Sequence, residues 1–165
     1  MDLSEILEEL KKFSSPICKT YSGCCQEEIN ELEIKIKYLL PLDFKKFLLI
    51  SNGAIINCQE LFGIRIENKF EDLFDNYIFE TKEAGNPMPN YYLPIYPDGM
   101  GNHNCLDLNS LTPDGKYCNV IFWQHDRLYS EDKQPDIDAS SFTQFLENLL
   151  KEIYEQYNDD GTEKR

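Results

Sequence analysis

The feature that most constrains the fold of this chain is a change in hydrophobic period between its ends and its middle. Both ends carry apolar residues at the spacing of amphipathic helices, whereas the middle carries short runs rich in aromatic and β-branched residues. Asp2 followed by Glu5 has the pattern of a capping box, which favours a helix start. Helices are predicted for residues 2–13, 25–36, 41–51, 70–82 and 141–157, strands for residues 61–66, 91–96, 104–108 and 118–124, and a loop for residues 14–23.

Helices first, a run of strands in the middle and a closing helix predict an α+β fold. We expect a central, mainly antiparallel β-sheet flanked by amino-terminal, middle and carboxy-terminal helices. The 165 residues fit one domain of ordinary size, and no repeat or linker divides them. We therefore predict a single domain over residues 1–158, followed by a polar frayed tail at residues 159–165.

Charge and apolar run length exclude several classes of function. Thirty acidic residues against sixteen basic ones give a formal net charge of −14, which argues against binding nucleic-acid backbones or anionic membrane surfaces. The amino terminus lacks the pattern of a secretion signal, and no apolar run approaches the length of a membrane span. The six cysteines include no C-x-x-C pair, so reduced thiols and a cytoplasmic location are expected.

The densest polar motif is D-G-M-G-N-H at residues 98–103, and the second histidine of the chain follows at His125. One interpretation is a metal-dependent hydrolase that uses His103, His125 and Asp126. The other is a glycine-rich hairpin turn in which Gly99 and Gly101 supply positive φ. Since the spacing matches no established ligand motif and no nucleophile or phosphate-binding motif is present, we predict no catalytic residue, no metal ligand and no cofactor.

Acidic and aromatic residues are concentrated between positions 71 and 115. Eight acids and a single base, Lys82, lie in this stretch together with several tyrosines. Aromatic side chains that are easily desolvated, surrounded by negative charge, are typical of a surface that binds a basic protein. The alternative is a solvated acidic surface over a core built partly from those rings. The predicted contact residues are Glu71, Asp72, Asp75, Tyr91, Asp98, Met100, Asn102 and Asp126.

Five segments, taken in order, resemble the SUKH superfamily of Smi and Knr type. They are the E-x-x-I-x-x-L-E helix at residues 27–36, L-P-L-D-F-K-K-F-L-L-I-S-N-G at 40–53, Y-L-P-I with D-G-M-G-N and C-L-D-L between 92 and 108, V-I-F-W-Q-H-D at 120–126, and S-F-T-Q-F-L at 141–146. The matched positions are mostly fold-forming ones: Pro41 suits a helix start, Gly53 a helix end, and Trp123 a core position.

The resemblance implies a central sheet flanked by helices and, in bacteria, an immunity protein. Such a protein binds and neutralises a cognate polymorphic toxin, often a nuclease, and the acidity of this chain suggests a basic toxin. Fungal members are regulators of cell-wall synthesis, which leaves a second hypothesis open: a regulatory scaffold or ligand-sensing module that acts through protein contacts. The sequence gives no indication of the oligomeric state.

Overall fold

The fold is described from a computed structural model, which describes residues 1–65, 67–68, 70–158 and 160–164. The helices are α1 (Leu3–Leu10), α2 (Gln26–Ile36), α3 (Leu42–Ile50), α4 (Leu73–Ile78) and α5 (Phe142–Gln156), and a π-helical turn (Phe79–Glu83) extends α4. The strands are β1 (Cys18–Thr20), β2 (Ala54–Ile56), β3 (Gln59–Leu61), β4 (Tyr92–Pro97), β5 (His103–Asp107), β6 (Val120–Trp123) and β7 (Asp136–Ala139).

Short polar side chains start three of the helices. The Asp2 carboxylate accepts from the Glu5 N–H at 2.9 Å, and the Glu5 carboxylate accepts from the Asp2 N–H, so the predicted capping box of α1 is present. The Ser141 hydroxyl accepts from the Gln144 N–H at the start of α5, and the Asp72 carboxylate does the same for Asp75 at the start of α4.

The strands of the described residues form two antiparallel sheets. One has the strand order β1-β2-β3 and the other the order β4-β5-β6-β7. The Phe62 N–H, just past β3, donates to the Ile95 carbonyl in β4 at 2.8 Å and joins the two sheets. Helices and antiparallel sheets in this order confirm the predicted α+β class.

The two faces of the β4–β7 sheet contribute to separate apolar clusters, because side chains alternate along each strand. Leu93, Leu106, Val120 and Ala139 lie in register and belong to the main core with residues of α1, α3 and α5; we call this side the inner face. On the other side, the outer face, a smaller cluster is formed by Met88, Tyr92, Cys105, Ile121 and Trp123.

The main core is densest where α3 meets α5. The fully buried ring of Phe142 lies 4.8 Å from that of Phe44 and 5.1 Å from that of Phe47, measured between centroids. Beside these rings, the buried Asp43 carboxylate accepts from the backbone N–H and the hydroxyl of Thr143. This carboxylate therefore ties the start of α3 to the start of α5.

Four segments differ from the sequence predictions. β1 lies within the predicted loop at residues 14–23. β2 was not predicted, and neither was β7, whose residues are largely exposed. Of the strand predicted for residues 61–66, only Leu61 lies in a strand, at the end of β3. Beyond it, the Asn52 side chain takes the place of a strand partner. Its amide oxygen accepts from the Ile64 N–H at 2.6 Å, and its amide nitrogen donates to the Ile64 carbonyl at 2.7 Å. Ile66 of that strand, and Asp159 and Arg165 of the predicted tail, lie outside the described residues.

Candidate protein-binding surface

The structure divides the eight predicted contact residues between several elements. Glu71, Asp72 and Asp75 lie at the start of α4, Tyr91 precedes β4, the turn between β4 and β5 carries Asp98, Met100 and Asn102, and Asp126 follows β6.

An acidic groove lies between α2 and α4, and we call it the α2–α4 groove. Its cavity of about 260 Å³ has an apolar floor and an acidic rim, lined by Glu28, Glu31, Leu32, Lys35, Ile64, Asp72, Phe74 and Asp75. The Lys35 ammonium lies 5.2 Å from the centre of the Phe74 ring, so this ring already offers its face to a cation. Sequence reasoning missed Glu28 and Glu31, although their spacing of three residues places both on one face of a helix.

Asp72 is not available at this surface. It is only 5% exposed, and its two carboxylate oxygens accept from the backbone N–H groups of Asp75 at 2.9 Å and Arg65 at 2.7 Å. Asp72 lines the α2–α4 groove but is the one buried residue among the eight predicted contacts, because the fold uses this side chain to start α4.

Glu71 and its neighbours form a charged network around Arg65. The guanidinium lies 3.4 Å from the Glu71 carboxylate, 3.8 Å from that of Glu60, and 4.1 Å from the centre of the Tyr21 ring. Burial, together with the negative charge of Glu71, raises the pKa of Glu60 to about 7. The network thus contains Glu60, which titrates near neutral pH, beside Glu71, which is half-buried and paired with Arg65.

In the β4–β5 turn, Asp98 and Asn102 hold the backbone. The Asp98 carboxylate accepts from the N–H groups of Met100 at 2.7 Å and Asn102 at 3.1 Å, and from the Asn102 amide at 2.7 Å. Burial alone would raise the pKa of Asp98, but these hydrogen bonds outweigh it and lower the pKa. Gly101 has φ of 95°, as the hairpin interpretation predicted, and Met100 projects outward with 74% exposure.

The same turn contacts the end of β6 through His125. The Asn102 side-chain oxygen lies 3.1 Å from the His125 backbone nitrogen, which donates to it, and 3.0 Å from the ring Nδ1. A Cβ added to Gly101 would approach the His125 ring to 3.0 Å, so a glycine is needed here for close packing as well as for its φ. The D-G-M-G-N-H motif and the segment after β6 therefore meet through Asn102 and His125.

His103 is in a different environment from His125. It is buried, its Nδ1 lies 3.9 Å from the Glu80 carboxylate, and burial lowers its pKa to about 4, so the ring is neutral at pH 7. Across the described ranges, no group of three or more histidine, cysteine or acidic side chains could hold a metal ion. The hydrolase hypothesis therefore gains no support from the geometry.

A second groove, which we call the outer groove, runs over the outer face of the β4–β7 sheet. Its cavity of about 320 Å³ is walled chiefly by rings, those of Pro87, Pro89, Tyr91, Tyr92, Trp123, Tyr129 and Pro135. The Asn86 side chain donates to the carbonyls of His125 at 3.1 Å and Arg127 at 2.9 Å and so joins the two segments that flank the groove. Of the predicted contact residues only Tyr91 lines it.

Trp123 is buried, as predicted, but in the outer cluster instead of the main core. Its indole N–H makes no hydrogen bond within the part of the chain that the structure describes. A buried donor without a partner costs about 1–3 kcal/mol. The sequence signal that could have indicated this groove is the accumulation of prolines and tyrosines around residues 87–92 and 129–135.

Comparison with known proteins agrees with this architecture. The sequence profile of the SMI1 / KNR4 family (SUKH-1) matches residues 23–148. The SPbeta prophage-derived uncharacterized protein YokK of Bacillus subtilis (strain 168) is 24% identical over 194 aligned positions, which cover 98% of this chain and 93% of that protein. A crystal structure of a protein from Pseudomonas syringae pv. tomato superposes with a TM-score of 0.57 at 20% identity, covering 74% of this chain and 84% of that one, and supports the fold.

The fold defines an α+β domain of the SUKH type. The chain belongs to the SMI1 / KNR4 family (SUKH-1), which confirms the resemblance seen in the sequence. Proteins of this family are generally non-enzymatic immunity or regulatory proteins. Of the helices in the described residues, none combines the length and the apolar character that crossing a membrane would need.

Proposed function

We propose that this protein is an immunity protein that binds a cognate bacterial toxin in the cytoplasm and neutralises it by covering its working cleft. The observation that carries the proposal is membership of the SMI1 / KNR4 family over residues 23–148. The protein acts by stoichiometric binding, without a catalytic step or a cofactor.

Charge supports a basic toxin as the partner. A toxin domain that acts on nucleic acid must attract phosphates and is therefore rich in lysine and arginine. The net charge of −14 on this chain would accelerate its encounter with such a domain. Fast association is what protection requires, because free toxin damages the cell that makes it.

The proposed contact residues are those whose side chains remain at least partly exposed in the fold. Glu71 and Asp75 lie at the start of α4, and Tyr91, Met100 and Asp126 lie beside the β4–β7 sheet. Asp98 and Asn102 act indirectly, because they hold the turn that presents Met100. The residues at the start of α4 and those beside the β4–β7 sheet are connected through α4. The Tyr77 hydroxyl in this helix donates to the Asn90 carbonyl at 2.9 Å, next to Tyr91.

The molecule is large enough for such an interface. A standard protein–protein interface buries about 800 Å² on each partner. The surface of this protein is 9011 Å², so masking a cleft would use roughly a tenth of it. Affinity would depend on a few buried anchors within that area, for which Tyr91 and Met100 are the candidates.

Co-expression tests the proposal. The neighbouring reading frame is expected to encode a large protein that ends in a small basic domain. We expect that domain to arrest growth when expressed alone, to be harmless with this protein present, and to co-purify with it in equimolar amounts. Toxicity that persists with both proteins folded and present would overturn the proposal.

A pair of charge-reversal variants tests the acidic surface. Replacing Glu31 and Asp75 with lysine should slow association with the toxin domain by about tenfold and leave stability within about 0.5 kcal/mol. The matched control replaces the exposed acids Glu8 and Glu155, which changes the net charge equally but far from the α2–α4 groove. Equal association rates for the two variants would rule out a local role for the groove.

The alternative function, a regulatory scaffold, predicts a different genomic neighbourhood and a different phenotype. If the adjacent frames encode no toxin and deletion of the gene changes expression or cell-wall synthesis without an attacker, the regulatory hypothesis replaces the immunity hypothesis.

A further inference from the structure

The outer groove has walls of a specific kind. Four aromatic rings follow one another along it: the centroids of Tyr91 and Tyr92 are 4.7 Å apart, those of Tyr92 and Trp123 5.9 Å, and those of Trp123 and Tyr129 4.6 Å. Tyr92 and Trp123 are buried within this series, and the half-buried rings of Tyr91 and Tyr129 at its two ends offer apolar surface with little side-chain freedom to lose on binding. The cavity of about 320 Å³ is at the small end of the range for binding pockets, which suits a few residues of a peptide.

The groove also contains a hydrogen-bond donor that the described part of the chain does not use. Trp123 is 3% exposed, and its indole N–H has no partner there. Buried indole N–H groups normally find an acceptor. An apolar side chain could not supply one, whereas the carbonyl of an extended peptide could.

We propose that the outer groove binds a proline-containing, extended segment of the protein's partner. The proposal rests on the proposed function in taking that partner to be the toxin. A polyproline II segment makes no internal hydrogen bonds, so its carbonyls are free to accept from the indole. Its pyrrolidine rings pack on aromatic rings, which is the recognition mode of aromatic-lined grooves in other peptide-binding domains.

Charge at the rim defines the segment further. Glu131 lines the groove and is exposed, and Asp132 follows it. The basic residues nearby are Lys133 and Arg127, whose guanidinium lies 5.9 Å from the centre of the Tyr129 ring. A lysine or arginine next to the prolines would be attracted to Glu131 in the groove wall and to the negative charge of the whole chain. The occupant is therefore a proline-rich segment with an adjacent basic residue.

Binding requires one local movement. The Tyr129 ring covers the indole, and its hydroxyl accepts from the Gln124 N–H at 3.1 Å. Rotation of this ring would expose the indole N–H to a carbonyl. The neighbouring Leu128, 81% exposed, would then lie beside the bound segment.

The chain has a single tryptophan, so the fluorescence of this indole, excited apart from that of the tyrosines, reports on this groove alone. The probe is a peptide of nine prolines with one amino-terminal arginine, and the matched probe carries glutamate in place of the arginine. We expect the first peptide to change the fluorescence of the full-length protein saturably, and the second to bind at least about fivefold more weakly.

Variants locate the binding site. Tyr91→Ala should weaken binding about tenfold, while Tyr117→Ala, an exposed tyrosine that does not line the groove, should leave it unchanged. Trp123→Phe keeps an aromatic ring and removes the N–H, and calorimetry should detect an affinity loss of about tenfold.

Three outcomes would overturn the proposal: no saturable response to the arginine peptide, equal binding by wild type and Tyr91→Ala, or a homodimer in sedimentation that Tyr91→Ala dissociates. Each leaves the proposed function standing if the toxin domain still co-purifies with the wild-type protein. Loss of co-purification together with intact peptide binding would instead count against the proposed function alone.

Discussion

The inner and outer faces of the β4–β7 sheet differ in what covers them. Helices α1, α3 and α5 close the inner side with apolar side chains, and the buried Asp43 there is fully engaged with Thr143 and Phe44. On the outer face lie rings, the sulfurs of Cys105 and Met88, and two buried nitrogens without hydrogen-bond partners in the described residues, on His103 and Trp123. Most of the buried apolar side chains therefore lie on the inner side, and the outer side is the one at which we propose that a partner segment binds.

The largest expected effect is on the inner side. Phe142→Ala removes a fully buried ring that contacts Phe44 and Phe47, and should cost about 3–5 kcal/mol of unfolding free energy. Tyr129→Ala, which truncates a half-buried ring over the outer face, should cost about 1 kcal/mol. Urea denaturation measures both, and equal losses would mean that the two faces do not differ.

A second comparison concerns acids in first turns of helices. Asp43→Ala leaves buried donors of Thr143 and Phe44 unpaired and should cost about 2–3 kcal/mol. Asp75→Ala, in the first turn of α4 and half-buried, should cost about 0.5 kcal/mol. Urea denaturation measures both losses. Equal losses for the two variants would mean that Asp43 is no more important for stability than Asp75.

Much of the fold could be predicted from the sequence, whereas part of the candidate surface could not. Hydrophobic period and capping residues predicted all five helices, and the glycines of residues 98–102 predicted the turn, because these signals are local. The burial of Asp72 could not be predicted, since it depends on the Arg65 backbone reaching the same carboxylate. The outer groove depends on two loops distant in sequence meeting over one sheet face. The alternation in β7 involves only two apolar residues, Ile137 and Ala139, which is too short to indicate a strand, and Ile137 is exposed.

A third test concerns pH. The pKa of Glu60 in the folded protein, about 7, lies above its ordinary value of 4.5, so the folded protein binds this proton more tightly than the unfolded chain. The corresponding stabilisation is present below pH 4.5 and is lost as the pH rises to 7. Relative to Glu60→Gln, the wild type should therefore lose about 1–2 kcal/mol between pH 5 and pH 7.5, after allowance for solvent screening.

Urea midpoints of both proteins across this range measure that difference. Asp114→Asn, at an exposed acid with its own local partners, is the control and should run parallel to the wild type in the same window. Parallel profiles for Glu60→Gln as well would mean that Glu60 is ionised throughout and acts as an ordinary member of the acidic surface.

A small effect on stability is also expected for a substitution at the outer face. Trp123→Phe loses some packing but also removes a buried N–H without a partner, so its unfolding free energy should stay within about 1 kcal/mol of the wild type. Thermal or urea unfolding measures it. A loss as large as that of Phe142→Ala would show that the outer cluster is a second structural core.

Hydrogen exchange on the complex with the neighbouring toxin domain would locate the surface that the partner covers. We expect slower exchange on binding in α4 and in residues 84–102 and 124–135, with α1 and α5 unchanged. Protection confined to α1 and α5, or no complex between two folded proteins, would contradict this expectation.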